Sequence, residues 1–184
     1  MKKIGKILLV STLAILTVGT IKVVNINSET LLKSNVSGHV QAYNHKPNNI
    51  LDNVFEKNGM TILPFIFENS DKTISKDYIV SQFKKAGLTI QNQSSLKDII
   101  STGTQIKTNS KNYTVLIYGD ADGDGYVDVF DAQAILKHYV FAENYELKGI
   151  YNIAANVDNE DTEIDVFDAQ RILRFYVGYE TKLV

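Results

Sequence analysis

The sequence predicts a small α+β module followed by an all-α region made of two loop–helix repeats. Two β-prone runs, residues 61–67 and 113–118, flank a segment with the periodicity of an amphipathic helix, and this mixture is typical of an α+β fold. A thirteen-residue segment that begins at Asp128 recurs at Asp165, with ten of its thirteen positions unchanged. Each copy follows an acidic stretch and has helical periodicity, so we expect two similar loop–helix units.

The first strand and the helix of the module follow from local signals. Residues 61–67 are strongly β-prone, but Pro64 predicts an edge strand or a bulge because proline has no N–H for a strand ladder. Ser75 is a good N-cap for a helix that runs to Ala86, and Gly87 supplies its stop.

A hairpin completes the module. Residues 105–107 are expected to pair with residues 113–118 across a polar turn. No nucleophile, base and acid are gathered in one motif here, and the module is small for a glycosidase, whose signature would be paired carboxylates. We therefore expect no catalytic residues and no enzyme activity.

Composition and charge exclude several classes of protein. The chain has 184 residues, a formal net charge of −2 and no cysteine. The absence of cysteine excludes a disulfide-stapled miniprotein, a cysteine zinc site and a thiol nucleophile. The small net charge argues against a globally basic nucleic-acid binder. Eleven of the 21 acidic residues nevertheless lie within 120–131 and 156–168, where there is no basic residue, and this concentration requires an explanation.

The N-terminal segment predicts export. Three lysines within residues 2–6 precede an uncharged, mostly apolar run at 7–21, which is the layout of a secretory signal peptide and is short for a membrane span. We assign residues 1–27 to a signal peptide or an uncleaved N-terminal anchor, and residues 28–58 to a polar linker or a loosely packed entry to the module. The expected location is extracellular or at the cell surface, with membrane contact only if the segment is not cleaved.

Residues 120–131 have the pattern of a twelve-residue calcium loop, here called loop one. Calcium prefers six to eight oxygen ligands, and carboxylates packed this closely repel one another unless a cation lies among them. Gly125 stands at the sixth position, where the chain must turn sharply. The predicted ligands are Asp120, Asp122, Asp124, the carbonyl of Tyr126, Asp128 through a water molecule, and Asp131.

Residues 156–168, here called loop two, form an imperfect second copy. Alignment without a gap puts Val157 at the first position, where its side chain cannot be a ligand; one inserted residue puts Asn156 there instead. No glycine occupies the turn, but the many acidic residues still favour a second cation. The predicted ligands are Asn156, Asp158, Glu160 or Asp161, the carbonyl of Glu163, Asp165 and Asp168.

Two features distinguish these loops from an ordinary EF-hand. The run at 113–118 is β-prone, so loop one has no entering helix, and each loop ends in aspartate where the EF-hand has a bidentate glutamate. Both features weigh against a calmodulin-like sensor.

Residues 119–180 resemble a dockerin domain, the calcium-dependent module of secreted clostridial-type proteins. The resemblance rests on the repeated loop–helix motif and on the ending Arg-Ile-Leu-Arg-Phe-Tyr-Val-Gly178. It implies a small α+β N-terminal module followed by an all-α dockerin domain with two F-hand loop–helix repeats. The segment 59–118 is similar to a small module often found directly before dockerins. The resemblance also implies two bound Ca²⁺ ions.

The same resemblance implies a cohesin-bearing partner. In dockerins the tenth and eleventh loop positions and residues two turns into each helix select the cohesin, and the matching copies imply that either helix can be the recognition face. The alternative is that Phe130 and Phe167 pack in the core. The corresponding residues here are Val129, Phe130, Leu136 and Lys137 in the first repeat, and Val166, Phe167, Leu173 and Arg174 in the second.

The leading function hypothesis is a secreted, non-catalytic protein that docks to a cohesin in a cellulosome-like, polysaccharide-degrading assembly. One alternative is an accessory component with glycoside hydrolase-associated activity. The other is a calcium-binding surface or adhesion protein with a different partner. Pull-down with cohesin modules, in calcium and in chelator, distinguishes the first hypothesis from the last.

Overall fold

The computed structural model of the chain describes residues 49–68, 72–158 and 162–184. The expected signal or anchor segment at 1–27, the first part of the polar segment 28–58, and the alternative ligands Glu160 and Asp161 lie outside the described residues.

Within the described ranges, a mixed sheet contains four strands in the order β1 (Phe55–Lys57), β2 (Met60–Phe65), β6 (Asn112–Ile117) and β5 (Gln105–Lys107). β1 and β2 are antiparallel and joined at Asn58-Gly59, whose φ angles of 53° and 75° are the left-handed values that a tight hairpin turn needs. β2 runs parallel to β6, and β6 is antiparallel to β5.

The predicted hairpin is confirmed. The expectation of an edge strand is wrong for β2 as a whole, although Pro64 itself has a neighbouring strand on one side only. Gln105 pairs with Thr114, as the hairpin requires. β2, which contains Pro64, lies between β1 and β6. The missing N–H is tolerated because β1 pairs only with Met60–Ile62, so β2 has β6 alone as its neighbour at Pro64.

The connection between the parallel strands β2 and β6 contains the predicted helix, α1 (Lys76–Lys85). Ser75 accepts a hydrogen bond from the backbone N–H of Tyr78 at 3.1 Å, which confirms it as the N-cap. The buried Phe83 packs edge-on against the ring of Tyr113, with 5.3 Å between ring centroids. A two-stranded sheet of β3 (Ile74–Ser75) and β4 (Ile99–Ile100) brackets the helix.

In the part of the chain that the structure describes, three helices follow the sheet: α2 (Val129–Tyr145), α3 (Ile150–Ala155) and α4 (Val166–Tyr176). α2 and α4 begin in the same way, because Asp128 and Asp165 cap the two helices in matching capping boxes. α2 packs against α4. The buried residues of the two helices include Ala132, Ile135, Ala169, Ile172 and Phe175. Among the described residues, no helix combines the length and the apolar character needed to cross a membrane.

The prediction of an all-α dockerin domain at the C-terminus is wrong. The described residues form an α+β fold within a single compact unit, and one hydrophobic core includes residues of both the sheet and the helices. α3 packs on β6, and the Gly119 N–H donates to the Ala154 carbonyl at 2.8 Å.

The physical reason for this arrangement lies in β6 and the residues after it. Residues 113–120 are all buried, so both faces of the strand need cover, and a sheet of four short strands cannot supply it. The C-terminal Leu183 is also buried and lies against Gly119.

Candidate metal-binding loops and the adjoining helix surface

Three carboxylates of loop one converge. Asp120, Asp122 and Asp124 each place a side-chain oxygen within 4.8 Å of the others. Asp120 is fully buried, whereas Asp122 and Asp124 are exposed. The group is therefore fixed at one end by the protein core and open to solvent at the other, and it could hold a metal ion.

Backbone amides hold the Asp120 carboxylate in place. Its Oδ1 accepts hydrogen bonds from the N–H groups of Gly123 at 2.9 Å and Gly125 at 3.3 Å, within the loop. Its Oδ2 accepts from the Thr102 N–H at 2.7 Å, outside the loop. Burial raises the pKa of Asp120. Hydrogen bonds from Thr102 and Gly125 act to lower this pKa, and the nearby Asp122 carboxylate acts to raise it further.

Asp131 closes loop one from the first turn of α2. Its Oδ1 accepts from the N–H groups of Ala121 at 2.7 Å and Asp122 at 3.1 Å, and its Oδ2 accepts from the Asp128 N–H at 2.8 Å. Burial raises the pKa of this carboxyl to about 8, in spite of the amides that lower it. The half-buried Asp128 accepts a hydrogen bond from the Phe130 N–H at 2.7 Å, and the side chain of Tyr126 is exposed.

Loop two brings together a different set of carboxylates. Asp158, Asp165 and Asp168 place side-chain oxygens within 4.8 Å of one another, and this group could also hold a metal ion. Asp168 is buried, and burial raises its pKa. The Glu163 carbonyl accepts a hydrogen bond from the Asn156 side chain at 3.1 Å.

The hydrogen bonds by which Asp131 and Asp168 close the two loops correspond one to one. Asp168 Oδ1 accepts from Val157 N–H at 2.7 Å and Asp158 N–H at 3.1 Å, the distances that Asp131 has to Ala121 and Asp122. Asp168 Oδ2 accepts from Asp165 N–H at 3.0 Å, as Asp131 does from Asp128. Asn156 therefore occupies the place of Asp120, and the extra residue of loop two lies between Asp158 and Asp165.

The donor sets suit a hard cation. Carboxylate oxygens are the ligands that such ions prefer, and buried carboxylates with raised pKa values are stabilised in their ionised form by a positive charge. Asp120, Asp131 and Asp168 are these buried carboxylates. Both groups thus have the chemistry of a metal-binding site.

The eight expected partner-binding residues all lie exposed on the surface of α2, α4 and the turns that begin them. Phe130 is 60% exposed and Phe167 is 58% exposed, so the alternative that they pack in the core is wrong. The two repeats also match at Val129 and Val166, 40% and 41% exposed, and at Leu136 and Leu173, both 39%.

Two further matched pairs were missed by sequence reasoning. Tyr139 and Tyr176 are exposed at equivalent positions of the repeat, and so are Val140 and Val177. The repeat itself was the available signal, since all four residues lie within the copied thirteen positions. We call these four residues, with the eight above, the repeat surface.

The contact between Thr102 and Asp120 was also missed. It joins residues 18 positions apart through tertiary packing, and no local pattern indicates it. Comparisons with protein-family models, with curated proteins and with solved structures found no match to this chain.

Proposed function

We propose that the chain is a secreted, non-catalytic protein whose two loops bind Ca²⁺ and whose repeat surface docks to a cohesin-bearing partner. The observation that carries the proposal is the combination of two acidic loops with matched apolar side chains beside each of them. Bound calcium would supply the positive charge that lets the buried aspartates remain ionised. The assembly that this function implies is a cellulosome-like, polysaccharide-degrading complex.

The loops and the repeat surface are connected through single residues. Asp131 and Asp168 lie in the first turns of α2 and α4 and also close the loops through backbone amides. A change in their ionisation therefore acts directly on the turns that display Phe130 and Phe167. This connection is the basis on which we expect docking to require calcium.

The composition of the repeat surface favours a protein partner. Exposed aromatic and aliphatic side chains with a basic border are typical of the centre of a protein–protein interface. Lys137 and Arg174 supply that border, one on each helix. The resemblance to dockerins makes a cohesin the partner of first choice.

The test is binding of the chain to a panel of immobilised cohesin modules, in calcium and in excess chelator. The double variant Phe130→Ala with Phe167→Ala should reduce affinity at least a hundredfold, because large aromatic side chains at an interface centre contribute several kcal/mol. Tyr78→Ala is the matched control, since Tyr78 is 47% exposed on α1, a helix outside the repeats.

Three results would contradict the proposal in different ways. If the chain still binds cohesin in excess chelator, docking does not depend on calcium. Equal losses for the double variant and for Tyr78→Ala remove the repeat surface as the interface. Failure to bind any cohesin, while calcium still binds, favours a surface or adhesion protein with another partner.

The matching of the two copies also predicts that either helix can dock. Phe130→Ala with Lys137→Ala, which disables the first copy alone, should then leave substantial affinity because the second copy remains. Complete loss of cohesin binding in this variant would show that the second copy cannot dock alone, so the two helices would not be interchangeable.

A further inference from the structure

The turn between β4 and β5, which connects the two sheets, lies directly against loop one. The Thr102 N–H donates to Asp120 Oδ2 at 2.7 Å, and both residues are buried. A Cβ atom added to Gly125 would lie 2.7 Å from a methyl carbon of Ile99 and 3.0 Å from the Ile100 carbonyl oxygen. The sharp turn of the loop is thus packed on the backbone of β4, with no room for a side chain.

Thr102 is itself fixed to the last residue of β6. Its hydroxyl oxygen accepts from the Ile117 N–H at 3.1 Å, and the same hydroxyl donates to the Ile117 carbonyl at 3.2 Å. The neighbouring Gly103 N–H donates to the Val115 carbonyl at 2.9 Å. The residue whose N–H binds Asp120 is therefore fixed by hydrogen bonds to β6, an inner strand of the four-stranded sheet.

Tyr151 of α3 covers the same contact from the helical side. A Cβ atom added to Gly103 would lie 2.6 Å from its hydroxyl oxygen, and one added to Gly123 would lie 2.6 Å from its ring. The β4–β5 turn, loop one and α3 consequently meet around the side chain of Tyr151.

We infer that Thr102 is a positioning residue of the first metal site, which makes the sheet a part of that site and couples calcium binding in loop one to the β4–β5 turn. The inference rests on the proposed calcium function. A carboxylate already aimed by the protein loses less conformational freedom when it becomes a ligand, so the turn raises the calcium affinity of loop one. Because coupling between sites is reciprocal, calcium in loop one stabilises the turn.

Loop two provides an internal comparison. Asn156 stands where loop one has Asp120, and its side chain donates to the Glu163 carbonyl of its own loop. A perturbation of Thr102 should therefore lower the affinity of loop one and leave loop two unchanged.

The test combines calcium titration calorimetry with amide NMR on the full-length chain. Thr102→Val keeps the shape of the side chain but removes the hydroxyl that binds Ile117, whereas Thr102→Ser keeps that hydroxyl and is the control. The Val variant should weaken one of the two calcium sites about tenfold, the effect of loosening one hydrogen bond to a charged group. The Ser variant should bind as the original chain does.

Amide resonances identify the site that changes. Gly123 and Gly125 report on loop one, and Val157 and Thr162 report on loop two. In the original chain the Thr102 and Gly103 amides should shift together with Gly123 and Gly125 as calcium is added. This measurement needs no variant, so it remains decisive if Thr102→Val folds poorly.

The possible failures are distinguishable. If loop amides respond to calcium but those of Thr102 and Gly103 do not, the coupling to the sheet is wrong and the proposed function stands. The same conclusion follows if Thr102→Val lowers the melting temperature but leaves both calcium affinities unchanged. If no amide of either loop responds in the original chain, the proposed calcium function fails, and this inference fails with it.

Discussion

The stability of the metal-free protein should fall as the pH rises from 5 to 8. The Asp131 carboxyl is 1% exposed, and burial raises its pKa from an ordinary value near 3.8 to about 8. In the unfolded chain this carboxyl loses its proton near pH 4, whereas in the folded protein it keeps the proton until pH 8. Between these values the folded state binds more protons, so its stability decreases with increasing pH.

The magnitude follows from the width of that interval. A single proton changes the free energy of unfolding by about 1.4 kcal/mol per pH unit, so Asp131 alone accounts for roughly 4 kcal/mol between pH 5 and 8. The pKa values of Asp120 and Asp168 are raised in the same direction, again chiefly by burial, so they add to the slope.

The assay is urea unfolding of the metal-free chain at several pH values, with Asp131→Asn as the comparison. The amide keeps an oxygen that can accept from Ala121 and Asp122 but cannot ionise, so the variant should show a smaller decrease between pH 5 and 8. Calcium should stabilise the original chain most at the upper end of this range, because less free energy is then needed to remove protons from the aspartates that bind it. A metal-free stability that rises with pH, or an equal slope in Asp131→Asn, would refute the reasoning.

Three sets of substitutions test the packing of loop one, of the repeated helices and of the C-terminal segment. Gly125→Ala should lower the free energy of unfolding by about 2 kcal/mol or more, because its φ of 94° and its contact with β4 both oppose a side chain. Gly87→Ala is the control: Gly87 has open space around it, so this variant should lose only about 1 kcal/mol. Equal losses in denaturant unfolding would contradict the contact with β4. Phe130→Ala should change the free energy of unfolding by less than about 0.5 kcal/mol because Phe130 is exposed, whereas Ile135→Ala, at a fully buried site, should lower it by about 2 to 5 kcal/mol. A large loss for Phe130→Ala would mean that this side chain supports the core. Glu180→Gln removes partly exposed ion pairs with two arginines of α4, so it should lower the free energy of unfolding by no more than about 1 kcal/mol, seen as a small decrease in melting temperature. A larger loss would show that these ion pairs hold the C-terminal residues in place.

Local signals in the sequence were sufficient for some of the individual elements. The N-cap of α1 at Ser75 and the pairing of Gln105 with Thr114 depend on residues near one another in the chain, and both were predicted. The parallel pairing of β2 with β6 was not predicted, because it joins residues some fifty positions apart across a helix and has no local signature.

The arrangement of the helices relative to the sheet was the main error. The repeated motif suggested an independent all-α domain, but the run that ends at Tyr118 is apolar without alternation, and such a strand needs cover on both faces. That pattern was visible in the sequence. The hydrogen bond from Thr102 to Asp120 was not, because it depends on which surface the loop happens to contact.

The most direct test of the central claim is a calorimetric titration of the metal-free, full-length chain with calcium, which counts the sites. We expect two bound Ca²⁺ ions per chain, with loop one occupied first and a rise in thermal stability as each loop fills. A titration that shows no bound calcium and no change in stability would contradict the claim that these acidic loops are calcium sites, and the proposed docking function would fall with it.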